Sequence, residues 1–460
     1  MHMVPPWAKL RKNIALILFV TTVLIYLANG RVIGSGDTLP ARYLPISIVK
    51  HHTFYLDDFP VLYDETASRK YSFGRGTPYY LLNLNGHYVS KYPPGPAVLA
   101  LPVYALPVMA GMPSTSKWIP HLEKLSATLI TALSVLFLFW ALRKLIAEKW
   151  ALLIAVVYAF GTSSFSISSQ ALWQHGPSQL FLTLALYFLV RGAEEDRYLP
   201  YAVFALASSV VMRPTDALIA LPIGLYLLYK YRHLRLKFVL FSLPPAVFSL
   251  SYYYLYLGNS VTGFYVVSPA AWQTPFTEGI SGLLFSPSRG LFVYSPILLL
   301  SVGGILIACS KGPSFLKFFS LGALLVVALH SKFSQWWGGY CYGPRYFADL
   351  APFLCFLLYP VCQRMEKQRL LMCAFIALGL LSIGLHALGA FWYDGSWDSQ
   401  LNQQNLYRLW EWSDSPITHY GRHAYWSAGQ FYETVKHFFL KGSVPSTKAI
   451  LTCPLFLVQS

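Results

Sequence analysis

The chain has 460 residues, 55% of them hydrophobic and 12% charged, with a formal net charge of +16. So apolar a composition excludes a water-soluble globular enzyme and predicts an all-α polytopic membrane protein. The charge does not indicate a nucleic-acid partner, because of where it lies. Seventeen of the 35 Lys and Arg fall before Asn13 and in 143–149, 191–197, 230–237, 309–317 and 363–369, while 170–176, 258–289 and 332–347 together hold three. This asymmetry places the six basic segments in the cytoplasm.

In chain order, Asn13–Ile33 has the length of a signal peptide but no small-residue cleavage site follows it, so it reads as a retained first span directed outward. Residues 34–121 then form a long first outer loop. Its opening stretch, GDTLPARYLPISIVKHHTFYL (36–56), organises the reading. Asp37 is a lone carboxylate at the membrane surface. Thr38 or Asp37 can cap a short helix, Pro40 suits its first turn, and Leu39, Tyr43, Ile46 and Val49 form one apolar stripe. Such a helix lies along the bilayer interface. From the residues alone, Asp37 is either a functional acid or only a cap.

Gly95–Met112 is apolar enough to span but is punctuated by Pro96, Pro102 and Pro107, with Pro113 just beyond. If it crossed, the basic segment 143–149 would lie outside, so it is read as re-entrant or interfacial. Further spans are expected at Leu122–Leu142, Trp150–Ser169, Pro177–Val190, Leu199–Met212, Ala217–Tyr229, Phe238–Leu257, Leu291–Ala308, Phe315–Leu329, Leu350–Val361 and Leu370–Trp392. The total is about eleven, within a range of ten to thirteen. The expected division is a transmembrane region, 1–392, and an outer C-terminal region, 393–460, rich in Trp and Tyr.

The cytoplasmic loops hold no glycine-rich phosphate loop, which argues against a nucleotide site there. The unusual residues are outside: Asp37, Arg42, Asp57, Asp58, Asp64, the SKYPPGP turn with Lys91, Trp173-Gln174-His175, FSPSRG with Arg289, and QWWGGYCYGPRY with Arg345. Arginine forks grip phosphate oxygens, aromatic faces stack on sugars, and a carboxylate takes a hydroxyl proton. The six cysteines form no CxxC; Cys341 and Cys453 both fall on the outer side, where a disulfide can form.

These segments, with MRPTDALIALP, LLFSPSRGLFVYSP and WWGGYCYGPRYFADLAPF, resemble the glycosyltransferase-C superfamily over roughly residues 10–430. The nearest relatives in appearance are bacterial integral membrane transferases akin to protein O-mannosyltransferases and aminoarabinose lipid A transferases. The resemblance implies a first outer loop carrying interfacial helices and the catalytic acid, and a polyprenyl-phosphate sugar donor. It also implies a glycan, lipid or protein acceptor, and a site on the extracytoplasmic side of a bacterial inner membrane. Asp37 matches the family's first-loop acid, followed by Arg42-Tyr43. Arg345 is the first choice for the donor phosphate, ahead of Arg289 and Lys91. Arg42, Tyr43, His175, Trp336, Trp337, Tyr340 and Tyr342 are candidates for the sugar or acceptor subsite. Many relatives carry a second acid where this chain has Trp173-Gln174-His175-Gly176-Pro177. A histidine lacks that fixed negative charge, which puts a two-carboxylate metal site in doubt. A divalent cation, Mg²⁺ or Mn²⁺, stays open, with Asp57, Asp58 and Asp64 as the oxygen ligands at hand.

The expected chemistry is a single displacement with Asp37 as general base and inversion at the anomeric carbon. The rival readings are a flippase for a lipid-linked sugar and an inactive scaffold. Transporters usually carry internal repeats, and none is visible here.

Overall fold

The computed structural model describes residues 13–71, 76–258 and 269–441. Among them the chain is almost entirely helical, with one short β-hairpin. Three helices are long and apolar enough to cross a membrane: Ile119–Leu142, the run Arg232–Leu257, and Arg369–Trp392. A fourth candidate is a pair bent by 41°, Arg345–Phe356 with Tyr359–Met365, and Ile14–Leu27, Gly95–Met109 and Phe315–Ser331 are shorter apolar helices. The eleven expected spans exceed this number, although helices occupy nearly all of the expected positions. Leu236, Leu240, Val247, Leu370, Leu380 and Leu381 stand exposed on two of the long helices, as suits surfaces whose solvent is hydrocarbon.

Local chemistry explains where helices stop short of the expected spans. The expected Trp150–Ser169 span is a helix only over Glu148–Phe160. The serine-rich segment after it forms a π turn, Ser164–Ser168, in which Thr162 Oγ1 donates to the Tyr158 carbonyl at 2.7 Å. Side-chain hydroxyls here compete for backbone groups that would otherwise continue the helix.

The segment expected to form the first outer loop packs around its own core of Leu44, Ile46, Leu56, Phe59, Tyr80, Tyr104 and Ile119. Its opening helix, Leu39–His51, buries Pro40, Ala41, Leu44, Ile46 and Ser47, whereas Leu39, Tyr43 and Val49 are only partly buried. The buried face is therefore rotated from the expected stripe, because the helix packs on Gly95–Met109 and Ile119–Leu142. The cap differs as well. Neither Asp37 nor Thr38 caps through its side chain; Ser35 Oγ accepts from the Asp37 amide, opening a 3₁₀ turn at Gly36–Thr38. The Asp37 carboxylate is thereby left uncommitted to capping.

The hairpin was not expected in an all-α reading. Leu81–Leu84 pairs antiparallel with His87–Ser90, Leu81 opposite Ser90. Asn85 and Gly86 both take positive φ at its tip, the turn that an Asn-Gly pair favours. Beyond residue 392, Trp397, Leu409 and Tyr420 are buried in the same core as the membrane helices.

Candidate active site

Asp37 meets Arg345 across 308 residues of chain. Arg345 Nη2 forms an ion pair with Asp37 Oδ2, and both side chains keep a little solvent contact, 15% and 13% exposed. Two tyrosines complete the acid's surroundings: Tyr79 and Tyr92 donate to Oδ1 at 2.9 and 2.7 Å. The hairpin accounts for both. Tyr79 and Tyr92 lie two residues beyond the paired ends Leu81 and Ser90, so the strand register sets them side by side. Gly36 admits this approach, since a Cβ there would lie 2.5 Å from the Tyr79 hydroxyl. Burial works to raise the Asp37 carboxyl. The Arg345 charge and the bonds from Tyr92, Arg345 and Tyr79 outweigh it and hold the group below the ordinary carboxylate range. Both tyrosine hydroxyls are pushed up, by burial first and then by the neighbouring carboxylate.

Arg345 is carried by the 3₁₀ turn Arg345–Leu350. Its guanidinium lies over the Trp173 ring, 4.5 Å from the centroid, and Nη1 donates to the Gly338 carbonyl at 3.0 Å. Nε is buried without a partner among the described residues. Trp173 is itself fixed by an indole bond to the Ile33 carbonyl at 3.2 Å.

Behind this pair lies a second buried cluster. Asp349 pairs with Arg213 and lies 3.1 Å from His175 Nδ1. Arg213 Nη2 is 3.3 Å from His330 Nε2, while His330 Nδ1 lies 2.9 Å from the Val326 carbonyl. His330 Nε2 thus accepts and Nδ1–H donates. His175 is enclosed in this network and does not reach Asp37.

The other expected site residues are placed as follows. Arg289 is 1% exposed and pairs with Asp398; it also donates to the carbonyls of Trp337, Ser288 and Gly339. Its donors are committed to the protein. Arg42 pairs with buried Glu123, whose other oxygen accepts from the Leu172 amide at 3.2 Å. Tyr43 packs on Phe59. Lys91 is half-buried, bonded through its backbone to Tyr80, and its ammonium has no hydrogen bond or ion pair among the described residues. Trp336 and Tyr342 are buried, Trp337 is half-buried, and Tyr340 is 52% exposed. Asp57 bonds to His87 and the Tyr88 amide, Asp58 pairs with His51, and Asp64 bonds to the Ala67 amide. The three carboxylates do not converge, and among the described residues no group of three or more His, Cys, Asp or Glu is arranged to hold a metal ion. Cys341 is buried as a free thiol; Cys453 lies outside the described residues.

Sequence reasoning singled out Asp37 and Arg345 but not Tyr79, Tyr92, Glu123, His330 or Asp349. The Asn85-Gly86 pair between alternating apolar residues was the available signal for the hairpin and so for the two tyrosines.

Residues 124–256 match the protein family described as dolichyl-phosphate-mannose-protein mannosyltransferase. The fold is similar to that of ArnT from Cupriavidus metallidurans in the apo state, with a TM-score of 0.52 and 15% identity over 98% of this chain and 75% of that one. The apo oligosaccharyltransferase of Archaeoglobus fulgidus also aligns, at a TM-score of 0.46 and 14% identity over 85% of this chain and 57% of its own. A search of curated proteins returned no match. The Asp37–Arg345 pair joins the segment before the Leu39–His51 helix to the segment after the Phe315–Ser331 helix.

Proposed function

We propose that this protein is an integral membrane glycosyltransferase. It moves a sugar from a polyprenyl-phosphate donor to an acceptor hydroxyl of a glycan, lipid or protein on the outer face of a bacterial inner membrane. The observation that carries this reading is the Asp37–Arg345 pair, a carboxylate and a guanidinium held together at a partly open site and braced by Tyr79 and Tyr92.

The reaction is one displacement. Asp37 Oδ2 takes the acceptor's hydroxyl proton as its oxygen attacks the anomeric carbon. The bond from that carbon to the phosphate oxygen breaks, its electron pair leaves with the phosphate, and the configuration inverts. The developing charge on the phosphate is met by Arg345, with Lys91 as the second cation of the loop. Before the donor arrives, Arg345 closes on Asp37. A phosphate that draws the guanidinium to itself frees Oδ2 and removes the strongest influence holding the carboxyl low, so the acid becomes a better base when the donor is in place. Arg345 Nε, buried and unpartnered among the described residues, supplies a further donor for the phosphate. Trp173 holds the guanidinium over its ring. Tyr340 is the expected aromatic with most of its ring open to a sugar.

The test is donor consumption by purified protein in detergent, with a panel of polyprenyl-phosphate sugars and cell-envelope extract as acceptor. Consumption that vanishes in Asp37→Asn supports the transferase. Folded protein that consumes no donor overturns it, since a flippase or scaffold does no chemistry in a micelle.

A further inference from the structure

Arg345 does not reach Asp37 through its own loop alone. The turn that carries it is held on the opposite side by buried polar contacts with no part in the proposed chemistry. Asp349, four residues on in the same 3₁₀ turn, pairs with Arg213 and lies against His175. Three residues per turn send Arg345 and Asp349 to different walls. Gln179, one helical turn after His175 and on its face, donates Nε2 to the Ala348 carbonyl at 2.7 Å. On the far side, His330 accepts from Arg213 and packs against Tyr346, ring centroids 4.6 Å apart and the planes tilted by 33°. Tyr346 is the immediate neighbour of Arg345. Arg213, Asp349, His175 and His330 are all buried.

A buried ion pair is weak evidence for stability, because desolvation offsets much of the attraction. A pair that ties a substrate-binding turn to three separate helices serves orientation better than it serves stability. We infer that Arg213 and Asp349, with His175 and His330, form a positioning network that sets the Arg345 guanidinium at the rim of the site. The inference rests on the reading of Arg345 as the donor-phosphate ligand. The four residues act through Arg345 and touch neither donor nor acceptor.

Asp349→Asn nearly preserves shape while removing the charge that holds Arg213. It is expected to raise the donor KM by about tenfold and lower kcat by a similar factor, leaving the acceptor KM unchanged, and Asp349→Glu recovers part of the loss. A structural role would instead lower kcat with the folded fraction and move neither KM; that result overturns the proposal. Should Asp349→Asn fail to fold, His330→Gln carries the same test with the same sign. Hydrogen exchange of 344–350 separates this inference from the function. If the wild type transfers nothing, the transferase reading fails alone. Faster exchange of that segment in the variant then upholds the positioning network, and unchanged exchange overturns it.

Discussion

Two arginine–aspartate pairs hang from one loop and end in opposite conditions. Gly338 and Gly339 both take positive φ, and the loop's carbonyls turn alternately to two sides. Trp337 and Gly339 accept from Arg289, while Gly338 accepts from Arg345. Arg289 and Asp398 are sealed at 1% and 3% exposure, and Tyr393 donates to the second oxygen of Asp398 at 2.7 Å. Arg345 and Asp37 keep solvent contact, and Arg345 Nε has no partner among the described residues. A pair whose three guanidinium nitrogens are all bonded to protein is a strut that fastens the chain after residue 392 to the helices before it. A pair with a donor to spare and an opening to solvent can exchange its partner for a ligand.

Removing one partner from each pair should separate the two roles. Asp37→Asn is expected to lower transfer by roughly 10²–10⁴-fold, the range of a positioned general base, with thermal unfolding in detergent nearly unchanged. Near-normal transfer by this variant would break the comparison on the catalytic side. Arg289→Ala leaves Asp398 charged and buried, which costs about 3–5 kcal/mol. The expected signs are a lower melting temperature and less monodisperse protein on size exclusion, with activity per folded molecule retained. If stability is kept and turnover lost, the assignments of the two pairs must be exchanged.

Smaller changes sharpen the contrast. Arg345→Lys keeps the charge but loses the planar fork and its stacking on Trp173. A donor KM raised about tenfold, or about 1.4 kcal/mol, is expected from initial rates at saturating acceptor. Tyr92→Phe removes one of the two hydroxyls on Oδ1. Because that bond favours the ionised carboxylate, its loss raises Asp37 toward its ordinary value. The ionised form is the active base, so the acidic limb of kcat/KM moves to higher pH, by roughly half a unit. A limb that stays put, or moves to lower pH, would show that Tyr92 does not act on Asp37.

The residues expected to carry the chemistry were easier to recognise than their neighbours. Asp37 and Arg345 stood out because a charge beside a membrane span is costly unless it serves something. Arg289 stood out for the same reason and ranked second to Arg345, but nothing local marked it as sealed against a protein partner. Its partner Asp398 lies 109 residues further on, in a stretch with no marked motif. His175 looked like a replacement for a missing acid because its loop was read alone. In the fold it belongs with Asp349, 174 residues away.

Composition and the spacing of apolar and basic segments pointed to a membrane protein, with the basic loops expected on one side and Asp37 and the isolated arginines expected on the other. These follow from transfer free energies, which are properties of each segment by itself. Which arginine would face which aspartate followed only from the packing of helices far apart in the chain, together with a hairpin register that delivers two tyrosines to one oxygen. Ion pairs and hydrogen bonds act over a few ångströms, and no local pattern in the sequence records which distant residues the packed helices bring within that range.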